Sequence, residues 1–258
     1  MKDSLLQRLR KDAPLNFAHR GARNHAPENT LAAFERALAH GADGIELDIR
    51  LCKTGEWVVL HDATLKRTTN GRGYVRRAPI EKIRRLDAGR YFGEQFRDEP
   101  VPTLAEVLKQ THGRCLLNVE IKALPTLPER NLQELIELLH RYHAARRCII
   151  SSFNPIVLRR FERLDAHIPT GLLLTANLSR QSPKRLLHKF TNVRAIHLHT
   201  RVMTRKIFDQ IKALGLFVMV WGADTPPRMR EMIDLGVDGI ITDEPLELSK
   251  ILGRYHAA

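Results

Sequence analysis

The sequence predicts an α/β fold of the (β/α)8 class, a TIM barrel with a small insertion after its second strand. Short apolar runs alternate with amphipathic segments almost to the end of the 258 residues, which is typical of parallel βαβ units. The apolar runs number eight, which matches a closed barrel of this length better than a doubly wound sheet. No GxGxxG or GxxxxGK[ST] motif supports a Rossmann or P-loop fold. We therefore expect one barrel domain over residues 1–258.

The expected strands are apolar runs bounded by polar or turn-forming residues. They cover 16–19, 44–49, 115–122, 148–152, 170–174, 195–199, 216–221 and 239–242. The expected helices are amphipathic segments near 30–40, 103–111, 129–143, 155–164, 182–190, 204–214 and 226–235.

One further apolar run, WVVLH at 57–61, does not fit the alternation. Only the turn-like KTGE separates it from the second strand, whereas a parallel strand needs a crossover of about a dozen residues. We therefore expect an antiparallel hairpin about Thr54-Gly55. Such a hairpin places His61 opposite Asp48 to within one register step.

The segment that follows, residues 62–102, is rich in Gly, Arg and Pro. ATLKRTTNGRG is typical of a loop, and PIEKIRRLDAG of a short helix that ends at Gly89. We interpret this segment as an elaboration of the barrel domain and not as a second core.

Composition places the chain among ordinary globular proteins, with 43% hydrophobic and 28% charged residues. No run approaches the roughly 20 apolar residues of a membrane span. The N-terminus, MKDSLLQRLRKDAPL, mixes charges with its leucines and is not a signal peptide. The cysteines, Cys52, Cys115 and Cys148, lack metal-type spacing and lie in or beside apolar runs. We expect buried thiols in a reducing compartment, and hence a cytoplasmic location.

The formal charge is +13, which raises the possibility of nucleic-acid binding. The basic residues are scattered, however, and no basic block carries interleaved aromatics. A basic surface that attracts anionic small molecules is the better interpretation, so no dedicated nucleic-acid partner is expected.

Three carboxylates are expected to converge at one rim of the barrel. Glu46 and Asp48 share a face of the second strand, and Glu120 ends the third. Barrel enzymes carry their chemistry at the C-terminal ends of the strands. One divalent cation (Mg²⁺ or Ca²⁺, or else Mn²⁺) would compensate the clustered charge through oxygen ligands. The alternative is a buried ion network with Arg20 and Lys122.

Two histidines and two cations are expected at the same rim. His19 and Arg20 end the first strand, Lys122 follows Glu120 on the third, and the hairpin brings His61. His19 and His61 fit an acid–base pair, one activating a nucleophile and the other protonating a leaving group. Arg20 and Lys122 would supply positive charge where a phosphoryl group gathers negative charge. The set outlines a phosphodiesterase site.

The motifs resemble the glycerophosphodiester phosphodiesterase family, in particular its cytosolic bacterial members. The similarity runs from about residue 16 to 248, and its motifs in order are AHRGARNHAPENTLAAFERAL, GADGIELDIRLCKTGEWVVLHDATLKRTTNGRG, LDAGRYF, VPTLAEVL, NVEIK, SSF and GIITDEP. HRG, PENT, E-x-D followed by HD, and E-x-K form a specific signal in combination.

The resemblance implies a barrel with an insertion after the second strand and metal-assisted hydrolysis of a glycerophosphodiester. The products would be glycerol 3-phosphate and an alcohol such as glycerol, choline or ethanolamine. A neighbouring glycerol hydroxyl attacks first to give a cyclic phosphate, or water attacks directly. In this family pattern, His19 and His61 would be the acid–base pair, and Arg20 and Lys122 would contact the phosphate. The ligands of one divalent ion would be Glu46, Asp48 and Glu120.

Several other residues belong to the expected site or its surroundings. Trp221 matches a family tryptophan at the pocket rim, and Phe153 either lines the pocket or covers the barrel end. In PENT, Asn29 or Thr30 would cap a helix, and Glu28 is a candidate to orient Arg20.

Two other functions compete with this one. A related barrel phospholipase would act on lysophospholipids or sphingomyelin-like lipids, but the aromatic content is only 6% and no aromatic-rich apolar loop lies near the rim. A basic barrel without enzyme activity would bind nucleic acid or anionic surfaces, and its binding would weaken with salt.

Overall fold

Eight parallel strands close into a barrel in the computed structural model, which describes residues 4–9, 13–122, 127–174 and 192–254. The strands are β1 Leu15–His19, β2 Gly44–Leu51, β3 Trp57–Val59, β4 Leu116–Ile121, β5 Cys148–Ser152, β6 Thr170–Leu174, β7 Ala195–His199, β8 Phe217–Trp221 and β9 Gly239–Thr242. Each parallel strand pairs with the next one along the chain, and β9 returns to pair with β1. The predicted (β/α)8 class is confirmed. Each of the eight expected strands begins within one residue of its predicted start and ends within one residue of its predicted end, except β2, which continues two residues further, to Leu51.

The helices described lie between the strands, except for one before the first strand and one after the last. Those predicted from amphipathic segments begin and end within two residues of their predicted bounds, but the helix predicted to end at Gly89 ends at Ile83. The described helices are α1 Leu5–Arg8, α2 Leu31–Ala39, α3 Ile80–Ile83, α4 Leu104–Gln110, α5 Glu129–Arg141, α6 Pro155–Leu164, α7 Arg205–Lys212, α8 Pro226–Leu235 and α9 Pro245–Ile251. The predicted helix near 182–190 lies outside the described residues. The sequence patterns did not indicate α1 and α9. Within the described ranges, no helix has the length and apolar character needed to cross a bilayer.

Alternation along the strands separates two apolar layers. Ile45, Leu47 and Ile49 of β2 face the surrounding helices and are fully buried. The lower half of the barrel interior is a separate apolar cluster that includes Phe17 and Met219. Leu5 and Leu9, from and beside α1, belong to this second cluster and explain why a short N-terminal helix packs under the barrel. Polar side chains therefore concentrate in the upper half of the interior.

The second strand continues into the predicted hairpin. β3 pairs antiparallel with β2, with Ile49 opposite Val59, and the Leu60 N–H donates to the Asp48 carbonyl at 2.9 Å. His61 therefore lies one register step beyond Asp48, within the predicted tolerance. Gly55 has a φ of +103°, a conformation that favours glycine at this turn.

The chain after the hairpin forms the expected irregular insertion. It contains α3 and two short 3-10 helices, Val75–Arg77 and Glu94–Phe96. Its apolar residues pack with Val58 and Leu60 in a small cluster of their own. The insertion thereby packs against the β2–β3 hairpin.

Candidate active site

Three carboxylates form what we call the acid cluster: Glu46, Asp48 and Glu120. Strand register sets their positions, because Asp48 of β2 lies beside Glu120 of β4, and Glu46 lies one pleat below on the same face. Each offers an oxygen, and the three oxygens lie within 4.8 Å of one another. All three residues are at most 6% exposed. Carboxylates so close and so buried need opposing charge.

Two cations of the chain supply part of that charge. Lys122 Nζ lies 2.9 Å from Asp48 Oδ1 and 2.5 Å from Glu120 Oε1. Arg20 Nε lies 3.2 Å from Asp48 Oδ2, and the Arg20 backbone N–H donates to Glu46 Oε2 at 2.9 Å. Arg20 has a φ of +55°, a strained conformation for a non-glycine residue, and this turn aims its N–H at Glu46.

The pKa values show that the compensation is incomplete. Burial, followed by the charges of Asp48 and Glu120, raises the pKa of Glu46 well above its ordinary value. Burial and then Asp48 also raise the pKa of Glu120. Burial acts in the same sense on Asp48, but Lys122 and Arg20 outweigh it and hold the pKa of Asp48 below its usual range. The chain alone thus stabilises one of the three negative charges well.

The acid cluster fits a divalent cation. Its donor set is three carboxylates, the oxygen ligands that Mg²⁺, Ca²⁺ and Mn²⁺ prefer. A divalent ion would supply the positive charge whose shortage raises the pKa values of Glu46 and Glu120. Arg20 and Lys122 contact the same carboxylates, so the acid cluster could hold a metal ion in addition to these ion pairs.

An amide also holds the cluster. Asn29 Nδ2 donates to Asp48 Oδ2 at 2.9 Å, and the Asp48 backbone N–H donates to Asn29 Oδ1 at 3.2 Å. Asn29 reaches this position with a φ of +60°. Thr30 is the cap of α2, since its side chain accepts from the Ala33 N–H. The alternatives left open for PENT are thereby resolved.

His19 is oriented by a carboxylate from the last strand. Its Nδ1 lies 2.6 Å from Asp243 Oδ1, and its Nε2 lies 4.0 Å from Glu46 Oε2. Burial raises the pKa of Asp243, but the His19 ring and Arg23 outweigh that effect and lower it. An ionised Asp243 fixes the Nδ1–H tautomer, which leaves Nε2 free to exchange a proton on the acid-cluster side.

His61 is oriented in the same way by its neighbour in sequence. Its Nδ1 lies 2.7 Å from Asp62 Oδ1, and Arg67 holds Asp62 with Nε donating to Oδ2 at 2.8 Å. Hydrogen bonds from Arg67 first, and from His61 next, lower the pKa of Asp62. Burial, with Lys122 and Arg20, lowers the pKa of His61 despite the opposing charge of Asp48.

Glu28 joins Arg20, which contacts the acid cluster, to Arg67, which holds Asp62 beside His61. Its carboxylate accepts from Arg20 Nη1 at 2.9 Å, as the sequence suggested, and from both terminal nitrogens of Arg67 at 2.7 and 2.9 Å. Burial raises its pKa, but these two guanidiniums lower the pKa of Glu28 to about 2. A permanently ionised Glu28 therefore fixes both Arg20 and the Arg67 that supports Asp62.

These groups surround a cavity of 210 Å³ at the C-terminal end of the barrel. Phe153 and Trp221 line it, and Phe153 is 42% exposed at its mouth. The remaining lining residues are His19, Arg20, Glu46, His61, Asn118, Glu120, Lys122, Ser151, Leu173 and Ile241. The cavity is small and polar on the acid-cluster side, which suits a small anionic substrate.

Comparison with known proteins agrees with this geometry. Residues 19–247 match the model of the Glycerophosphoryl diester phosphodiesterase family. The chain is 40% identical over 243 residues to a glycerophosphodiester phosphodiesterase of Caldanaerobacter subterraneus subsp. tengcongensis, covering 93% of this chain and 98% of that protein.

Solved structures give the same result. An Oleispira antarctica phosphodiesterase in complex with the product sn-glycerol-3-phosphate superimposes with a TM-score of 0.87 at 28% identity, covering 93% of this chain and 97% of that one. A glycerophosphodiester phosphodiesterase from Agrobacterium tumefaciens gives a TM-score of 0.81 at 29% identity, covering 92% and 99%.

The chain belongs to the glycerophosphoryl diester phosphodiesterase family. The resemblance drawn from the motifs is thus confirmed, and membership makes the chain a hydrolase of phosphoric diesters that takes a small-molecule substrate.

All nine site residues predicted for this phosphodiesterase fold line the cavity or contact residues that do. Asp48 is the one that the cavity does not reach directly, and it contacts Arg20 and Lys122. Two further histidines, on β7, pack rather than face the acid cluster: His197 is fully buried, and the His199 ring lies edge-on against Trp221, with 4.2 Å between the ring centres.

Sequence reasoning missed the supporting roles of four residues: Asn29, Asp62, Arg67 and Asp243. A signal existed for Asp243, because it directly follows the last strand and a closed barrel places that strand beside the one ending in His19. No local pattern indicated the Arg67 contact, which depends on the fold of the insertion.

Proposed function

We propose that this chain hydrolyses glycerophosphodiesters to sn-glycerol 3-phosphate and an alcohol, using one divalent cation and a pair of acid–base histidines. The observation that carries the proposal is the placement of two histidines, each tied at Nδ1 to a carboxylate, around a cavity whose wall holds the acid cluster. The product bound by the Oleispira antarctica structure supports the glycerol phosphate assignment.

Glu46, Asp48 and Glu120 would hold the cation. When bound, a divalent ion polarises a phosphoryl oxygen and stabilises the negative charge of the transition state. Mg²⁺, Ca²⁺ and Mn²⁺ all suit three carboxylates. Asn29 has a positioning role in this proposal, because its side chain donates to the Asp48 carboxylate and accepts from the Asp48 backbone N–H.

His19 and His61 divide the proton transfers. One takes the proton of the attacking hydroxyl through Nε2, and the other gives a proton to the oxygen of the departing alcohol. The attacking group is water or the neighbouring hydroxyl of the glycerol. Asp243 and Asp62 keep both rings in the tautomer that leaves Nε2 for this exchange.

Arg20 and Lys122 bind the phosphate. Both are held against the acid cluster, Arg20 additionally by Glu28, so each presents a fixed positive charge at the cavity. Preorganised charges of this kind stabilise a phosphoryl group as it gains negative charge.

The test is turnover of glycerophosphoglycerol before and after metal removal. Protein dialysed against EDTA should release no measurable sn-glycerol 3-phosphate, and Mg²⁺, Ca²⁺ or Mn²⁺ should restore release. Undiminished turnover in the chelated protein would contradict the role of the acid cluster. Turnover of neither this diester nor its choline and ethanolamine analogues, with each metal supplied, would contradict the proposed reaction.

A further inference from the structure

Two polar side chains that line the catalytic cavity each carry an oxygen with no hydrogen-bond partner among the described residues. They are Asn118 on β4, through Oδ1, and Ser151 on β5, through Oγ. Each residue is only 1% exposed. Buried polar atoms in native proteins are nearly always paired, so these two oxygens point to a polar ligand group. We call the two residues the floor pair.

Strand position places the floor pair between the acid cluster and the apolar interior of the barrel. Asn118 and Ser151 each lie directly beside a member of the acid cluster on the neighbouring strand. Two residues earlier on the same faces, Leu116 and Ile149 belong to the apolar cluster of the lower barrel. The floor pair therefore forms the closed, inner end of the catalytic cavity.

The hydrogen-bonding capacity of the two oxygens limits what would satisfy them. Asn118 Oδ1 only accepts, whereas the Ser151 hydroxyl both donates and accepts. A phosphate dianion has no donor for Oδ1, and a choline group has neither a donor nor an acceptor. An alcohol hydroxyl donates to one of the two side chains and accepts from the other. Leu173 and Ile241, which also line the cavity, offer apolar contact to the carbon that carries such a hydroxyl.

The closed end of the cavity suits the constant part of the substrate. The departing alcohol differs among glycerophosphodiesters, whereas all of them carry the same glycerol group. The phosphate is expected at Arg20 and Lys122, which follow the ends of β1 and β4, while the floor pair lies within β4 and β5. A glycerol group esterified there has its terminal hydroxyl at the other end of its three-carbon chain, and this hydroxyl would reach the inner end of the cavity.

We propose that Asn118 and Ser151 bind the terminal hydroxyl of the glycerol group and thereby select glycerophosphodiesters over diesters of simpler diols. The inference rests on the proposed function. Asn118 Oδ1 accepts the hydroxyl proton, and Ser151 donates to the hydroxyl oxygen. A substrate without this hydroxyl leaves two buried oxygens unpaired, and sites built to bind a hydroxyl discriminate strongly against analogues that lack it.

The test compares two diesters of phosphocholine that differ in one hydroxyl. The first is sn-glycero-3-phosphocholine. The second is the matching ester of propane-1,2-diol, which keeps the hydroxyl next to the ester and lacks the terminal one. Choline release measures both reactions in the metal-loaded protein. We expect kcat/KM to be at least about 100-fold higher for the glycerol diester.

Single substitutions assign this discrimination to the floor pair. Ser151→Ala and Asn118→Ala should each reduce it at least about tenfold, mainly by lowering kcat/KM for the glycerol diester. The matched control is Ser152→Ala, at the next residue of β5, which is also 1% exposed. The Ser152 hydroxyl donates to the Ile121 carbonyl at 2.9 Å and accepts the Asn154 N–H at 3.1 Å. This control should change stability and leave the discrimination unchanged.

The outcomes separate this inference from the proposed function. Similar kcat/KM values for both diesters would overturn the inference alone, as would discrimination that survives in both Ser151→Ala and Asn118→Ala. Weaker metal binding by Asn118→Ala with unchanged discrimination would also overturn it, and would assign the amide to the cation.

Without any turnover, calorimetry decides. We expect sn-glycerol 3-phosphate to bind the wild-type protein at least about tenfold more tightly than the matching propane-1,2-diol phosphate, and Ser151→Ala to remove this difference. Equal Kd values, or binding of neither compound, would overturn the inference.

Discussion

The two ends of the barrel differ in how they compensate the charge of their carboxylates. At the N-terminal end, the single carboxylate of Asp43 lies 2.5 Å from Arg8, contacts Arg254 and accepts the Asn16 backbone N–H at 2.9 Å. Two guanidiniums and a backbone donor thus surround one negative charge. This group ties the chain before β2 to α1 and to the segment after α9, and its charge is fully compensated.

At the C-terminal end, carboxylates outnumber the cations of the chain. Three carboxylates face Arg20 and Lys122, and the pKa values of Glu46 and Glu120 are raised. The comparison teaches that the same fold completes its structural ion pairs and leaves its functional cluster short of positive charge. In the proposed function a divalent cation would supply the missing charge at the acid cluster, whereas Asp43 has no such shortage.

The largest expected effect is on turnover at the C-terminal end. His19→Ala and His61→Ala should each lower kcat about 10²- to 10⁴-fold, because each removes one proton transfer. Circular dichroism and thermal melting should show an intact fold in both. Near-wild-type kcat in both variants would remove these histidines from the mechanism.

The carboxylates behind the histidines should matter less. Asp243→Asn and Asp62→Asn should lower kcat about 10- to 100-fold with little change in KM, since they orient the rings without contacting substrate. The Asp62 hydrogen bond raises the pKa of His61, so Asp62→Asn should move any His61-dependent limb of the pH–rate profile to lower pH. A change in KM alone would indicate a binding role instead.

The features of the site that could be predicted from the sequence are those set by a single strand. The face shared by Glu46 and Asp48 follows from a period of two within one strand, and His19 from its position at a strand end. Asp243 and His19, which are in contact, lie 224 positions apart in the sequence, and Asn29 and Asp48 lie 19 positions apart. These contacts depend on barrel closure and on the positive φ of Asn29, neither of which leaves a local pattern.

At the N-terminal end, a substitution should change stability and spare catalysis. Asp43→Asn should lower the free energy of unfolding by roughly 2 kcal/mol, the usual effect of losing hydrogen bonds to a charged group. Urea denaturation measures this loss, and kcat at a temperature where the variant is folded should equal that of the wild-type protein. A loss of kcat beyond twofold would mean that the two ends are coupled.

The most indirect effect is a difference in the pH dependence of stability between the wild-type protein and Glu46→Gln. In EDTA, the raised pKa of Glu46 means that the folded state binds a proton that the unfolded state has released above about pH 4.5. The free energy of unfolding of the wild-type protein should therefore fall with rising pH relative to Glu46→Gln. The slope is at most about 1.4 kcal/mol per pH unit and vanishes above the folded-state pKa.

Urea denaturation of both proteins between pH 5 and 8 isolates this contribution, because groups that titrate alike in the two proteins cancel in the difference. With saturating Mg²⁺ or Ca²⁺, the wild-type protein should have a higher free energy of unfolding than Glu46→Gln. The Glu46 carboxylate would bind the ion, whereas the amide of the variant would bind it poorly. Parallel curves in EDTA would show that Arg20 and Lys122 already compensate Glu46. The acid cluster would then resemble Asp43, and the contrast between the two ends would fail.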